Sequence, residues 1–232
     1  MLSKILFPAI LRFEAIEGKM AEEKIFRSPR KRGRVAVLLS GRGSNFRAIH
    51  DAMAEGKINA GVVAVVSNRA EAPGLQTARE RGLEALYLDP KACASKEAYD
   101  EAIVAELKKR EVDLVCLAGY MKIVTPFFCQ AFRNQIMNIH PALLPSFPGL
   151  NAQKQAVDYG VRYSGATVHF VSEEVDGGPI ILQAVVPVYQ DDTEETLADR
   201  ILVWEHKIYP EAVRLYFEGK LEVRGRKVYI LE

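Results

Sequence analysis

Residues 35–45 read VAVLLSGRGSN, an apolar run followed by two glycines, and this stretch decides the fold class. The run Val35–Leu39 is typical of a buried strand, since it is short, apolar and rich in β-branched residues. Gly41 and Gly43 end the run in a turn, and helical spacing of apolar residues begins near Asn45. A strand that passes through a glycine turn into a helix is typical of an α/β protein with a parallel sheet.

Further apolar runs repeat this alternation along the chain. Segments with helical spacing separate them, and helix-start signals precede some of these segments, as Ser95 precedes KEAYDEAIVAELKKR and Thr125 precedes Pro126. The later predicted strands are Val62–Val66, Ala85–Leu88, Leu114–Ala118, Gln135–Ile139, Gly165–Val171 and Ile180–Val188. The sequence therefore predicts a single-domain α/β fold, a Rossmann-like and mostly parallel sheet with helices on both faces.

The segment Thr193–Phe217 has helical spacing and predicts a long closing helix. Asp192 stands three residues before Glu195, a pairing typical of a helix start. Pro210 is expected to kink this helix or to divide it, because proline lacks the amide hydrogen that an internal helical turn donates.

The chain has no internal repeat and no linker that would separate two domains. Residues 34–224 are therefore predicted to form one α/β catalytic domain. Residues 1–33 form an N-terminal extension that we expect to be poorly ordered, and residues 225–232 form a C-terminal tail.

Composition favours chemistry on small molecules. Lys and Arg number 31 against 30 for Asp and Glu, so the net charge of +1 supplies no broad positive field for nucleic acid. No apolar run reaches the roughly 18 to 20 residues of a membrane-spanning helix. Cys93, Cys116 and Cys129 form no CxxC pair, which argues against a disulfide framework or a zinc site. We expect a cytoplasmic protein with small-molecule substrates, no bound metal and neither nucleic-acid nor membrane partners.

The glycine turn at Gly41–Asn45 is the first candidate site. Glycines let backbone N–H groups turn toward a phosphate, and the N-terminus of the following helix adds partial positive charge. A dinucleotide fingerprint requires a third glycine where Phe46 stands, and no Lys-Ser/Thr pair follows as in a P-loop. The turn therefore favours a phosphomonoester ligand, with a structural turn that binds nothing as the alternative.

Polar side chains near a strand end form the second candidate site. The segment MNIHPALLP (137–145) ends a predicted strand, and open α/β sheets bind ligands at that edge. Asn138 and His140 are two residues apart and so share one face of the strand. Asp176 follows in the loop EEVDGGP (173–179), where a carboxylate can orient an imidazole or relay a proton through water. Taken singly, each residue has a structural explanation; together they suit acyl transfer without a metal or covalent nucleophile.

Seven motifs extend this pattern over residues 34–224: SGRGSN, SNR, LAGYMKIV, NIHPALLPSFPGL, SGATVHFV, EEVDGGPIILQ and EHKIYPEAV. Together they resemble the glycinamide ribonucleotide formyltransferase family. NIHPxLLP with a later DxGP is shared by folate-dependent enzymes that transfer or hydrolyse formyl groups, and GRGSN is typical of the ribonucleotide branch. The resemblance implies the formyltransferase fold, 10-formyltetrahydrofolate as the formyl-donor cosubstrate, and phosphoribosylglycinamide as the acceptor in de novo purine synthesis.

The same resemblance implies roles for particular residues. The implied catalytic residues are Asn138, His140 and Asp176. Those implied to bind the ribonucleotide and its phosphate are Gly43, Ser44, Asn45 and Glu205. Those implied to bind the folate are Lys96, Met121, Lys122, Ile123, Val124 and Asn138, with the loop Val171–Asp176 as a lid. Lys96 stands where some relatives have Arg, which keeps the charge but loses bidentate geometry. The histidines expected to be structural are His50, His169 and His206.

Alternatives remain open at this point. Formyltetrahydrofolate hydrolase, or another folate-dependent formyltransferase, would share the Asn-His-Asp pattern, although we expect such an enzyme to carry an additional domain. A rival of another class is a non-catalytic nucleotide-binding Rossmann domain, which would leave that pattern unexplained. The sequence is also compatible with either a monomer or a homodimer.

Overall fold

The computed structural model describes residues 23–24 and 32–232 of the chain. The strands of this part are β1 (Glu23–Lys24), β2 (Gly33–Leu39), β3 (Ala60–Ser67), β4 (Ala85–Tyr87), β5 (Leu114–Leu117), β6 (Ile136–His140), β7 (Tyr163–Phe170), β8 (Ile180–Pro187), β9 (Leu221–Arg224) and β10 (Lys227–Ile230). Its helices are α1 (Ser44–Ala54), α2 (Pro73–Glu80), α3 (Lys96–Lys109), α4 (Pro126–Ala131), α5 (Ala152–Tyr159) and α6 (Glu194–Phe217), with a 3₁₀ turn at Pro90–Ala92.

These strands form one sheet in the order β1-β9-β10-β8-β7-β6-β5-β2-β3-β4. The five strands from β4 to β6 run parallel to one another, whereas β6, β7 and β8 pair antiparallel. Helices connect the parallel strands, because a chain that joins two parallel strands must cross over a face of the sheet. Beyond β8, β10 pairs parallel with β8 and antiparallel with β9. The predicted α/β class is confirmed.

Alternation along β2 shows how both faces of the sheet are covered. Val35, Val37 and Leu39 point into a hydrophobic cluster that includes residues of α1, α2, α5 and α6. Ala36 and Leu38 point into a second cluster, with residues of α3 and α4. Successive side chains of a strand face opposite ways, so an uninterrupted apolar run requires helices on both sides. The prediction of helices on both faces is therefore confirmed.

The start of α6 differs from the sequence-based expectation. Thr193 is the N-cap, and its hydroxyl accepts a hydrogen bond from the Thr196 backbone N–H at 3.3 Å. The pairing of Asp192 with Glu195 was wrong, because the Asp192 carboxylate instead contacts the Arg200 guanidinium at 2.7 Å. This ion pair holds the pKa of Asp192 well below its usual range.

Pro210 lies inside α6, which continues through it. Of the two expected outcomes, the division of the helix was wrong, and the kink stays a prediction. A proline in a helix removes one backbone hydrogen bond. Tyr209 and Ala212, on either side of it, are fully buried against the sheet, and their packing favours one continuous helix. Burial thus outweighs the local preference of proline.

The predicted N-terminal extension lies mostly outside the described residues. Glu23 and Lys24 pair antiparallel with Val223 and Glu222 at the edge of the sheet. The predicted C-terminal tail contains β10, which pairs with β9 along its length. The boundaries of the catalytic domain remain a prediction. Among the residues that the structure covers, every helix is too short or too polar to cross a lipid bilayer.

Tyr209 ties α6 to the middle of the sheet. Its ring is fully buried, and its hydroxyl lies 3.1 Å from the Leu117 carbonyl oxygen and 2.8 Å from that of Met137. These carbonyls belong to the neighbouring strands β5 and β6. One phenol therefore fixes the helix against two strands that lead to the carboxyl edge.

We expect Tyr209→Phe to lower the free energy of unfolding by about 1 to 3 kcal/mol, because two buried carbonyls lose a partner while the ring remains. Urea unfolding measures this loss. Tyr159→Phe is the matched control, since Tyr159 is 80% exposed and should change stability by less than about 0.5 kcal/mol. Equal losses in the two variants would contradict the assigned role.

Candidate active site

Strand β6 carries two polar side chains to the carboxyl edge of the sheet. Asn138 and His140 lie on one face of the strand, as their spacing predicts. Asn138 is half-buried, and His140 is only 4% exposed. The carboxyl end of β6 adjoins that of β5, with which it runs parallel. These side chains therefore emerge where an open α/β sheet binds its ligands.

Asp176 contacts both of these side chains from the loop that follows β7. Its Oδ2 lies 3.3 Å from His140 Nδ1, and its Oδ1 lies 3.5 Å from Asn138 Nδ2. The Gly149 backbone N–H also donates to Oδ2 at 2.8 Å. The structure thus brings together the three residues that the sequence singled out as catalytic.

The Asp176 loop has a backbone that few residues tolerate. Asp176 itself has φ 51°, in the left-handed region that aspartate enters more readily than most residues. A Cβ placed on Gly178 would lie 1.8 Å from the Phe170 carbonyl oxygen, so only glycine fits there. At the other end of the loop, the Cys129 thiol lies 3.5 Å from the Ser172 carbonyl oxygen. The loop is therefore fixed at both ends, and its carboxylate is aimed at β6.

The surroundings of His140 define its protonation. Its Nε2 lies 2.8 Å from the Phe147 carbonyl oxygen, which only accepts, so Nε2 carries a proton and Nδ1 faces Asp176. Burial lowers the pKa of His140, although the Asp176 charge and the Phe147 carbonyl act in the opposite direction. The resting imidazole is therefore neutral near pH 7, with the lone pair of Nδ1 free to accept a proton beside a carboxylate.

Asp176 remains ionised in this site. Burial raises its pKa, but hydrogen bonds from His169 and the Gly149 N–H, and the charge of His140, outweigh burial and leave the pKa below its usual value. An ionised carboxylate next to a neutral imidazole favours proton uptake by that imidazole. The pair can therefore take up positive charge during a reaction.

His169 is a member of this cluster that the sequence analysis treated as structural. It lies opposite Asn138 in the β6–β7 register, and its Nε2 lies 3.2 Å from Asn138 Nδ2 and 3.6 Å from Asp176 Oδ1. Its Nδ1 donates to the Phe170 carbonyl oxygen at 2.9 Å, which leaves Nε2 facing Asn138 and Asp176. Its place near a strand end was a signal in the sequence, but the antiparallel register that gives it partners was not.

The glycine turn forms the entrance to α1. Gly43 is the N-cap with φ 71°, and a Cβ there would lie 3.1 Å from Leu39 Cδ2 and 3.2 Å from Gly74 Cα. Helix α1 has no side-chain cap and no acidic residue in its first turn. The backbone N–H groups that begin at Ser44 therefore suit an anion, and Arg42 is exposed beside them.

Asn45 and Glu205 meet beside this turn. Asn45 Nδ2 donates to Glu205 Oε2 at 2.7 Å, and both residues are 7% exposed. Burial raises the pKa of Glu205, and the hydrogen bond from Asn45 opposes that change. Asn45 Oδ1 is buried without a hydrogen-bond partner among the described residues, so it can accept from a ligand hydroxyl. The four residues implied to bind the ribonucleotide therefore converge at one place.

The segment after β5 presents apolar surface at the same edge. Met121 and Ile123 are each 59% exposed, whereas Val124 is buried beneath them. The Met121 N–H donates to Ser40 Oγ at 2.8 Å, which joins this segment to the start of the glycine turn. Exposed apolar side chains on a fixed backbone suit the flat face of an aromatic ligand.

Two lysines flank this apolar segment. The ammonium of Lys122 lies 5.6 Å from the centre of the Tyr99 ring, within the range of a cation–π contact. Lys96 is exposed at the first position of α3, one turn before Tyr99. Both positive charges therefore stand on the side of the site where the folate is predicted to bind.

Metal ligands and reactive thiols are absent from the described part of this site. Among residues 23–24 and 32–232, no group of three or more His, Cys, Asp or Glu could hold a metal ion. Burial raises the pKa of the Cys129 thiol to about 11, so it is protonated at neutral pH. The expectation that the reaction uses no metal remains a prediction.

Known proteins resemble this chain over most of its length. Residues 33–213 match the family model described as Formyl transferase. The chain is 42% identical over 196 residues to the phosphoribosylglycinamide formyltransferase of Escherichia coli K12, a match that covers 84% of this chain and 92% of that protein. The crystal structure of glycinamide ribonucleotide transformylase 1 from Symbiobacterium toebii matches with a TM-score of 0.86 and 53% identity, over 87% of this chain and 95% of that one.

Some relatives are much longer proteins. The trifunctional purine biosynthetic protein adenosine-3 of Bos taurus is 44% identical over 204 residues, which cover 87% of this chain. The match spans only 20% of that bovine protein, and 15% of the protein of the same name from Drosophila melanogaster. The family match and the shorter relatives confirm the resemblance that the sequence motifs indicate: the chain belongs to the formyl transferase family.

Proposed function

We propose that the chain transfers the formyl group of 10-formyltetrahydrofolate to the amine of 5-phosphoribosylglycinamide. The products are formylglycinamide ribonucleotide and tetrahydrofolate, in de novo purine synthesis. The observation that carries this proposal is the contact of Asp176 with both Asn138 and His140 at the carboxyl edge of the sheet. The names of the shorter relatives support the same reaction.

Both substrates find suitable surfaces around these three residues. The phosphate binds the uncapped N-terminus of α1 at residues 43–45, and the sugar hydroxyls bind Asn45 Oδ1 and the Glu205 carboxylate. The pterin packs on residues 121–124, and Lys96 and Lys122 attract the carboxylates of the folate. Two small molecules then meet at one edge, a reaction that needs neither nucleic acid nor membrane and suits a cytoplasmic enzyme, monomeric or dimeric.

Nucleophilic attack by the amine on the formyl carbon begins the reaction. A C–N bond forms, and the electron pair of the carbonyl moves to its oxygen, which becomes an oxyanion. Asn138 donates a hydrogen bond to that oxygen, a contribution of roughly 3 to 4 kcal/mol for a well-placed donor. Breaking the bond from carbon to N10 then returns the electron pair to N10 and restores the carbonyl.

Proton movement falls to His140 and Asp176. The developing oxyanion and the Asp176 carboxylate both favour the imidazolium form of His140, which then stabilises the oxyanion with its charge. The proton that His140 gains is the one that the attacking amine loses, and it then passes from the imidazolium to N10 through water held by Asp176. The protein thus ends each turnover in its starting protonation state.

The reaction is tested by mixing the protein with 10-formyltetrahydrofolate, with and without phosphoribosylglycinamide, and following folate deformylation. Deformylation that depends on the amine is the expected result. Equal deformylation in water alone would mean a hydrolase, and the proposal would fall. Absence of both activities, together with quenching of NAD(P)H fluorescence on titration, would point to the non-catalytic nucleotide-binding alternative.

The anion site at α1 is tested with Gly43→Ala, which we expect to raise the KM for the ribonucleotide about tenfold or more. A methyl group on residue 43 would contact Leu39 and Gly74 closely and is strained at φ 71°, so the turn shifts. The backbone N–H groups then no longer point toward the phosphate. Gly56→Ala is the matched control, because Gly56 has φ 76° with open space around it. Both variants should lose about 1 to 2 kcal/mol of stability, but only the first should lose affinity.

Asp176→Asn should lower kcat roughly 10²- to 10⁴-fold with little change in KM, because the amide keeps the size of the side chain but neither holds charge nor relays a proton. His140→Ala should lower kcat at least as much. The double variant should fall little further, since residues that act as one unit are not additive. Full additivity in steady-state kinetics would show that the two residues act separately.

The pKa of His140 gives an independent test of the same pair. The Asp176 charge raises this pKa, so Asp176→Asn should move the histidine titration to lower pH, as NMR of the imidazole measures. Asp158→Asn is the matched control, since Asp158 pairs with Lys154 on the exposed face of α5. An unchanged His140 titration in Asp176→Asn would remove the carboxylate from its electrostatic role.

A further inference from the structure

The loop between β6 and α5 touches both members of the catalytic pair with its backbone. The Phe147 carbonyl oxygen accepts from His140 Nε2 at 2.8 Å, and the Gly149 N–H donates to Asp176 Oδ2 at 2.8 Å. Phe147 has φ 55° and Gly149 has φ 82°, so both lie in the left-handed region. Because these contacts come from backbone atoms, they depend on the path of residues 142–149, which we name the bridge loop.

Thr167 holds the beginning of the bridge loop. It is fully buried on β7, directly opposite His140 in the β6–β7 register. Its hydroxyl donates to the Ala142 carbonyl oxygen at 2.7 Å and accepts from the Leu144 N–H at 3.1 Å. A single side chain on the neighbouring strand therefore fixes both the entry and the third residue of the loop.

Gln183 on β8 completes this clamp. It lies opposite Thr167 in the β7–β8 register, and its Nε2 donates to Thr167 Oγ1 at 3.0 Å and to the Leu144 carbonyl oxygen at 2.9 Å. The Thr167 hydroxyl has one donor and two acceptor positions, and all three are used. The clamp is thus fully satisfied and has one low-energy arrangement.

We propose that Thr167 is a positioning residue for formyl transfer, which acts through the bridge loop on His140 and Asp176 together. The inference rests on the proposed function, because that function makes this pair the reacting centre. Without the hydroxyl, the Ala142 carbonyl and the Leu144 N–H are left without their buried partner, and the loop moves to satisfy them. The Phe147 carbonyl and the Gly149 N–H then move away from the imidazole and the carboxylate.

Thr167→Val tests this proposal, because valine keeps the shape of the side chain and removes only the hydroxyl. We expect kcat to fall roughly 10- to 100-fold, the size of loss that a small displacement of catalytic groups causes. The KM values should stay within about threefold, since Thr167 touches neither substrate surface. Thr167→Ser, which keeps the hydroxyl, should retain most of the activity.

The matched control is Thr77→Val on α2, where the hydroxyl donates to the Pro73 carbonyl oxygen at 3.2 Å on an exposed face. It should leave kcat unchanged. The His140 titration by NMR gives a readout that a loss of packing would not move. The Phe147 carbonyl raises the pKa of His140, so Thr167→Val should shift that titration to lower pH, and Thr167→Ser should restore it.

The proposal is overturned if Thr167→Val keeps the wild-type kcat and His140 titration, or if valine and serine lower kcat equally. If Thr167→Val does not fold, Gln183→Met decides, because it removes the second donor from a more exposed position. Wild-type kcat and titration in that variant would overturn the clamp. Failure of the proposed function is distinguishable, since the wild-type protein would then show no amine-dependent deformylation while the NMR titration still reports the clamp.

Discussion

The antiparallel register of β6 and β7 is the constraint on which the site depends. It sets Asn138 opposite His169 and His140 opposite Thr167. Side chains alternate between the faces of a sheet, so a shift of one residue would turn every one of these pairs to the wrong neighbour. The parallel half of the sheet supplies the carboxyl edge, and this single antiparallel pair supplies the partners of the side chains that emerge there.

Burial and charge act against each other at this edge, and the balance determines the chemistry. His140 is buried enough to favour its neutral form, yet it faces a carboxylate that favours the charged form. Asp176 stays ionised because several donors surround it. A pair in this state changes its charge readily when a new negative charge appears nearby, which is what the oxyanion of the proposed reaction provides.

Local patterns in the sequence predicted the features that depend on residues close together in the chain, such as which face of a strand a side chain occupies. The apolar alternation of Val35–Leu39 correctly required helices on both faces, and the spacing of Asn138 and His140 correctly placed them on one face. The site roles assigned by resemblance remain predictions, but the residues do converge. His169 was missed because its partners are set by strand register, which periodicity does not encode.

The remaining differences between prediction and structure, at the start of α6 and at Pro210, arise where two structural preferences compete. Asp192 and Thr193 are both good helix caps by type, and the ion pair of Asp192 with Arg200, eight residues further along the chain, decided between them. Proline tends to interrupt a helix, but burial of the residues on both sides of Pro210 outweighs that tendency. Such outcomes depend on side-chain contacts and on burial in the folded chain, which residue type and periodicity do not encode.

The buried carboxylate of Glu205 has a consequence for how a sugar would be recognised. Folding has already removed this carboxyl group from bulk water, burial raises its pKa, and one hydrogen bond from Asn45 compensates the charged form only in part. A ligand hydroxyl that donates to this group would therefore gain a hydrogen bond to an acceptor that is already desolvated. Under the proposed function, the folded chain bears this desolvation cost before the ribonucleotide arrives, so the pocket would favour hydroxyl donors and disfavour a second anion near the phosphate.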